Sequence, residues 1–160
     1  MYNLDYSEFY ITNVCNLNCD NCNRFNNFYF KGHKLWETHK QEYKKWAKLV
    51  NIKKIGILGG EPLLNPDFPN WLKGICELWP NSKIDVISNG TQISKAKNLY
   101  SLLTSVPNEV ILEINCHNLD LKHTYQEQAE ALFGTRSYEK YADLGSWEHW
   151  LFSYNSIIYS

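Results

Sequence analysis

The stretch EFYITNVCNLNCDNC at residues 8–22 joins a strand pattern to three closely spaced cysteines. Its first part, residues 8–14, is rich in aromatic and β-branched side chains, which favour a β-strand. The predicted strand ends at Cys15 and runs into a loop that carries all three clustered cysteines. A strand followed at once by a loop of potential metal ligands is therefore the first structural unit of the chain.

Further helices and strands are predicted to alternate after this loop. Residues 36–50 carry apolar side chains at helical spacing between lysines and glutamates, as in an amphipathic helix. Later helices are predicted at residues 69–79, at 94–106 with Ser94 as the cap, and at 119–133. Later strands are predicted at residues 54–58, 83–87 and 109–115. A helical pattern is less clear at 147–154, and 156–159 is a candidate fifth strand.

Strands separated by helical segments of roughly 10 to 15 residues imply βαβ crossovers, so the fold class is predicted to be α/β with a parallel sheet or barrel. In such a fold every strand delivers its following loop to the same edge. The cysteine loop and residues 59–62, 88–90 and 115–117 each follow a predicted strand. We therefore expect these four segments to meet.

Length, charge and cysteine content narrow the functional class. The 160 residues predict one domain, residues 1–160, and 44% hydrophobic residues are enough for a core. A net charge of −1 without long charge runs argues against nucleic acid as a partner. The absence of a long apolar stretch or a signal-peptide pattern predicts a cytoplasmic protein without a membrane partner. Five cysteines, three of them clustered, fit a metal site better than a disulfide framework.

The spacing of Cys15, Cys19 and Cys22 puts three thiolates on one short loop. A structural zinc site needs a fourth protein ligand, for which His33 and His39 are the candidates. An iron–sulfur cluster also binds thiolates, and three of them on a four-iron cluster leave one iron open to another ligand. Of the remaining cysteines, Cys76 lies on the apolar side of a predicted helix and is expected in the core.

The order of three motifs resembles the radical S-adenosylmethionine (SAM) superfamily over residues 8–118. These motifs are CNLNCDNC at residues 15–22, GGEP at 59–62 and SNGT at 88–91, each after a predicted strand. The resemblance implies a partial (β/α) barrel of the radical SAM type. Six βα units need roughly 190 residues, so either the barrel is shortened to about five units or the sequence is a fragment or a small variant. An incomplete end of the barrel is one interpretation of residues 119–160.

The resemblance also implies roles for individual residues. Cys15, Cys19 and Cys22 would each bind one iron of a [4Fe-4S] cluster, and SAM would chelate the fourth iron. The remaining cofactor-binding residues implied are Gly59, Gly60, Glu61, Pro62, Ser88, Asn89 and Asn115, with His117 nearer the substrate. Asn89 and Gly90 have the alternative of being only a turn. Asn21 occupies a position that is commonly aromatic in the superfamily.

The implied function is reductive cleavage of SAM to a 5′-deoxyadenosyl radical that abstracts hydrogen from a substrate. The electron donor would be a protein such as flavodoxin or ferredoxin. The substrate, whether small molecule, peptide or protein, is unknown, and no catalytic residue is assigned. Three alternatives stay open: a small glycyl-radical-enzyme activase of the same superfamily, a non-enzymatic zinc-binding module, and a catalytically inactive relic of the fold.

Overall fold

The computed structural model describes residues 1–19, 22, 24, 31–96, 98–117, 119–133, 137–140 and 150–155. The strands are β1 (Tyr2–Thr12), β2 (Val50–Gly59), β3 (Lys83–Ser88), β4 (Val110–Cys116), β5 (Ser137–Lys140) and β6 (Trp150–Asn155). The α-helices are α1 (Trp36–Ala47), α2 (Phe68–Leu78), α3 (Leu99–Leu103) and α4 (Lys122–Phe133). Two short 3₁₀ helices lie at Pro62–Leu64 and Leu119–Leu121.

One six-stranded sheet organises the molecule, in the order β1-β2-β3-β4-β6-β5. Its first four strands are parallel, and each is followed by a helix. β6 pairs antiparallel with β4, and β5 pairs antiparallel with β6 at the edge of the sheet. The predicted α/β class with a parallel sheet is therefore confirmed, and the arrangement is consistent with a partial β/α barrel. Among the described residues there are four parallel βα units, followed by an antiparallel strand pair.

The strands are longer than their local patterns predict. β1 begins at Tyr2 instead of residue 8, and β2 begins at Val50 instead of residue 54. The two additions pair with each other, since Tyr2 is opposite Val50 and Leu4 is opposite Ile52. Pairing between distant parts of the chain satisfies the backbone there, whatever the local propensity.

One helix prediction is confirmed with shorter bounds, and another is wrong. The third helix is confined to Leu99–Leu103 with Asn98 at its N-cap, so Ser94 is not the cap. Residues 91–95 form turns instead, in which the Ile93 amide donates to the Gly90 carbonyl. Within 147–154, the described part is strand β6, which pairs with the edge of β4. The candidate strand at 156–159 lies outside the described residues.

The core lies between the parallel sheet and its helices. One face of the strands contributes side chains that are at most 1% exposed: Ile55, Ile57, Ile84, Val86, Leu112 and Ile114. Trp71, Leu72 and Ile75 of α2 are fully buried in the same cluster. Burying one such aliphatic side chain contributes about 1.5–3 kcal/mol, so packing on this face stabilises the fold. Cys76 is buried here too, as expected for a core residue.

The opposite face of the strands is polar where β2, β3 and β4 run side by side. The ammonium of Lys54 lies 2.5 Å from the Asp85 carboxylate, and Glu113 lies next to Asp85. Burial raises the pKa of Glu113 to about 7; the Asp85 charge acts in the same direction and Lys54 in the opposite one. No helix in the described part of the chain has the length and apolarity to span a bilayer.

Candidate functional site

The cysteine loop and the GGEP segment meet at the carboxyl ends of β1 and β2. The Gly60 amide donates to the Thr12 carbonyl at 2.9 Å, and the Glu61 amide donates to the Val14 carbonyl at 2.8 Å. These bonds continue the parallel pairing of β1 and β2 beyond the last strand residues. The backbone that leads into Cys15 is thereby fixed against the second motif.

Both glycines of this motif are required by the close approach of the cysteine loop. A Cβ atom on Gly59 would lie 2.3 Å from the Thr12 carbonyl oxygen. A Cβ atom on Gly60 would lie 2.2 Å from the Val14 carbonyl oxygen and 2.8 Å from the Cys15 Cβ. Because the obstructing atoms are mostly backbone, a larger residue would displace the loop itself. Gly-Gly thus allows the cysteine loop to lie directly on the end of β2.

Glu61 joins the second motif to the third from inside the protein. Its side chain is fully buried and accepts hydrogen bonds from the Ser88 hydroxyl at 2.9 Å and the Asn89 amide at 2.6 Å. It also accepts from the Leu63 amide at 3.1 Å and so caps the 3₁₀ helix that begins at the buried Pro62. Burial raises the pKa of Glu61 to about 7, although the three donors act in the opposite direction.

Asn89 joins the third motif to the cysteine loop. Its Oδ1 accepts from the amide and the hydroxyl of Thr91, at 3.0 and 2.7 Å. Its Nδ2 donates to Asn16 Oδ1 at 3.1 Å and approaches Cys15 Sγ at 3.8 Å. The neighbouring Gly90 has a φ of 84°, and a Cβ there would meet Tyr125 of α4 at 2.9 Å. The Asn-Gly pair is therefore a turn, and its asparagine also reaches the cysteine loop.

The three cysteines of the loop are half-buried thiols. The Cys22 amide donates to the Cys19 carbonyl at 3.2 Å, which holds these two cysteines near each other. The Leu17 amide donates to Cys15 Sγ at 3.5 Å. Burial raises the pKa of Cys15, while the Leu17 and Asn89 donors act in the opposite direction. Three thiols on one loop, with N–H donors at a sulfur, form a donor set suited to an iron–sulfur cluster.

A single metal ion fits this arrangement less well. Among the described residues, no three His, Cys, Asp or Glu side chains converge so that one ion could be held. Thiolates that bind different irons of one cluster need not converge in this way. The histidines considered for zinc are engaged elsewhere: His33 Nδ1 lies 2.9 Å from the Thr12 hydroxyl, and His39 Nδ1 lies 3.5 Å from Glu42.

The end of β4 supplies the fourth segment. Asn115 is half-buried, and its Oδ1 is buried without a hydrogen-bond partner in the part of the chain that the structure describes. Such an acceptor suits a hydroxyl or amine of a bound ligand, because an unsatisfied buried polar atom costs about 1–3 kcal/mol. His117 is exposed just beyond the strand, whereas Ile114 and Cys116 are buried on the other face.

Several contacts at this edge have no signal in the sequence motifs. Asn16 Nδ2 donates to the Thr91 hydroxyl at 2.8 Å across 75 positions of the chain. Arg24 binds the Glu8 carboxylate at 3.0 Å and stacks over the Tyr10 ring at 4.8 Å, so Arg24 is anchored to β1. The one signal in the sequence for the Arg24 contact is Glu8, a charged residue inside a strand pattern.

The family assignment rests on the match of the chain to a family model. The model of the radical SAM superfamily matches residues 9–143. This range contains the end of β1, the cysteine loop, the GGEP and SNGT segments and the strands β2, β3 and β4. The chain therefore belongs to the radical SAM superfamily, whose members are enzymes, and membership implies an iron–sulfur cluster and SAM.

Two curated relatives carry related names. A GTP 3′,8-cyclase of Psychromonas ingrahamii is 33% identical over 96 residues, which cover 56% of this chain and 27% of the relative. A probable GTP 3′,8-cyclase of Methanococcus aeolicus is 34% identical over 87 residues, which cover 53% of this chain and 29% of the relative. The matched segment thus spans less than a third of either relative.

Proposed function

We propose that this chain is a radical SAM enzyme that binds a [4Fe-4S] cluster and cleaves SAM reductively. The observation that carries the proposal is the junction of three motifs at one sheet edge, with Glu61 bonded to Ser88 and Asn89. When bound, the cluster supplies the electron that splits the sulfonium into methionine and a 5′-deoxyadenosyl radical, which abstracts hydrogen from the substrate. A flavodoxin or ferredoxin would deliver that electron to the cluster.

Different residues of the chain would bind the cluster and SAM. Cys15, Cys19 and Cys22 would each bind one iron of the cluster, and the remaining iron would be open to SAM. The segment from Gly59 to Pro62 lies beside the cysteine loop, where its backbone can approach the methionine portion. The Oδ1 of Asn115, which has no hydrogen-bond partner among the described residues, can accept a hydrogen bond from the ribose. The Ser88 hydroxyl donates a hydrogen bond to Glu61 and so helps to hold the segment from Gly59 to Pro62 in place.

Anaerobic purification followed by iron and sulfide analysis tests cluster binding. We expect about four irons per chain and a brown chromophore, in keeping with three thiolates on a four-iron cluster. Zinc in equal amount to the freshly isolated protein would instead favour the metal-binding module. The stoichiometry separates the two because zinc sites bind a single ion.

Incubation of the loaded chain with SAM and dithionite tests turnover. We expect 5′-deoxyadenosine and methionine, in amounts that depend on the reductant. A chain with an intact cluster that never yields 5′-deoxyadenosine would be an inactive form of the fold.

The substrate of this chemistry is a separate question. Because both relatives are named as GTP 3′,8-cyclases, GTP is the first compound to assay. If GTP is a substrate, its addition accelerates 5′-deoxyadenosine formation and consumes GTP. If both are unchanged while SAM is still cleaved, the substrate belongs to another class of molecule.

A further inference from the structure

We propose that the side-chain amide of Asn89 donates a hydrogen bond to the sulfur of Cys15 and thereby raises the reduction potential of the bound cluster. The inference rests on the proposed function, in which Cys15 is an iron ligand. It gives Asn89 a positioning and tuning role toward the cluster, distinct from any contact with SAM.

The orientation of the amide is fixed by two donors on its oxygen side. The Thr91 amide and hydroxyl both donate to Asn89 Oδ1, at 3.0 and 2.7 Å. The NH₂ group must therefore point the other way, and it has two hydrogens to place. Asn16 Oδ1 lies 3.1 Å from Nδ2, and Cys15 Sγ lies 3.8 Å from it. A flipped amide would place Nδ2 against the Thr91 N–H and Oδ1 against Asn16 Oδ1, so the donor faces the sulfur.

The backbone of Asn89 is held by a hydrogen bond to the second motif. Its amide donates to Glu61 Oε2 at 2.6 Å, and the Gly90 amide donates to the Ser88 hydroxyl at 3.1 Å. Glu61 is fully buried and Asn89 is 6% exposed. Hydrogen bonds in such an environment are stronger and hold their geometry better than exposed ones. The position of the Asn89 Nδ2 donor is thus fixed by the hydrogen bonds between the second and third motifs and by burial.

The sulfur of Cys15 receives a second N–H donor. The Leu17 amide lies 3.5 Å from it, within the cysteine loop itself. Hydrogen bonds to cluster sulfurs are among the features that set the potential of an iron–sulfur centre. Reduction adds negative charge to the cluster and its thiolates, and a donor stabilises that added charge. Loss of the Asn89 donor therefore shifts the midpoint potential to more negative values.

The experiment is an anaerobic redox titration of the loaded chain, monitored by electron paramagnetic resonance in the absence of SAM. Asn89→Leu removes the donor without adding charge. Asn89→Asp keeps the shape and the oxygen that faces Thr91 but places a carboxylate oxygen at the sulfur. The matched control is Asn51→Leu, an exposed asparagine near the start of β2.

We expect both Asn89 variants to keep their iron and to titrate at more negative potentials than the wild type, with Asn89→Asp shifted furthest. The Asn51 control should titrate like the wild type. Unchanged potentials in both Asn89 variants would overturn the inference. Iron loss from both would overturn it as well, because a group that only adjusts the sulfur's electron density leaves ligation intact. A wild-type chain without a reducible four-iron cluster would refute the proposed function itself, whereas the other two outcomes refute only the role of Asn89.

Discussion

The helix-covered face of the sheet buries apolar side chains, whereas its carboxyl edge buries polar ones. The face buries aliphatic side chains such as Ile57 and Val86, whose packing has no directional bonds. The edge buries Glu61, Ser88 and Asn89, each of which bonds to a specific partner on another loop. Packing on the face depends on volume, whereas the edge depends on the direction of each donor and acceptor. Changes on the face should therefore alter stability, and changes at the edge should alter what the protein can bind.

The largest effect is expected from a pair of cysteine substitutions, one at the edge and one in the core. Cys19→Ala removes a proposed iron ligand and should abolish cluster binding and SAM cleavage, because two thiolates cannot hold three irons. Cys76→Ala, at a site 2% exposed on α2, should keep the iron and lose about 1 kcal/mol of unfolding free energy. Iron analysis and denaturant titration measure both. Retained SAM cleavage in Cys19→Ala would contradict the ligand assignment.

A glycine substitution tests whether the second motif positions the cysteine loop. Gly60→Ala puts a methyl group 2.2 Å from the Val14 carbonyl oxygen, so the loop must move and most of the cluster should be lost. The control is Gly32→Ala, where no atom lies within 4 Å of the new Cβ but φ is +100°. That change should cost about 1–2 kcal/mol of unfolding free energy and leave the iron content unchanged. Equal iron content in the two variants would contradict the positioning role.

A cavity on the core face should reduce stability without changing the site. Leu72 of α2 is fully buried, and Leu72→Ala should lower the unfolding free energy by about 2–5 kcal/mol. Denaturant titration gives the free energy, and iron analysis of the folded fraction gives the cluster content. If iron is lost from protein that remains folded, the core and the site are more closely coupled than the comparison suggests.

The buried carboxyl of Glu61 predicts a pH dependence of smaller size. Burial raises its pKa to about 7 in the folded chain, above its ordinary value of 4.5. The folded state therefore binds the proton more tightly, so this group's contribution to stability is full below pH 4.5 and falls as the pH rises toward 7. The loss is at most about 3 kcal/mol.

The comparison of wild type with Glu61→Gln isolates this contribution. Unfolding free energy measured between pH 4.5 and 8 should fall less steeply in the variant, because Gln does not titrate. Parallel curves would show that Glu61 is ionised in the folded chain across this range. Glu113, whose pKa burial also raises to about 7, remains in both proteins and cancels in the difference.

The sequence predicted those parts of the fold that have a local pattern. The centres of β2, β3 and β4 and the helices α1 and α2 follow from their own periodicity. The first part of β1 does not, because residues such as Tyr2 and Leu4 are ordered by pairing with β2. The less clear helical pattern at residues 147–154 did not predict strand β6. The strand depends on pairing with the edge of β4, which no local pattern reveals.

For the site, the sequence supplied the residues but not how they connect. Cys15, Glu61 and Asn89 were all predicted from motifs. The bonds from Glu61 to Asn89 and from Asn89 to Cys15 cross 28 and 74 positions, and such contacts exist only in the folded chain. The Gly-Gly pair was predicted to bind the cofactor. The structure gives it a further role, because the absence of a Cβ at each glycine leaves space for the Cys15 loop.

In the proposed function, the three thiolates of the cysteine loop bind three irons of a four-iron cluster, and the fourth iron stays open for SAM. Electron paramagnetic resonance of the reduced chain, recorded before and after SAM is added, tests it directly. We expect the spectrum of a reduced four-iron cluster that changes shape when SAM binds to the open iron. A four-iron spectrum that SAM leaves unchanged, or no such spectrum in the reconstituted chain, would contradict it.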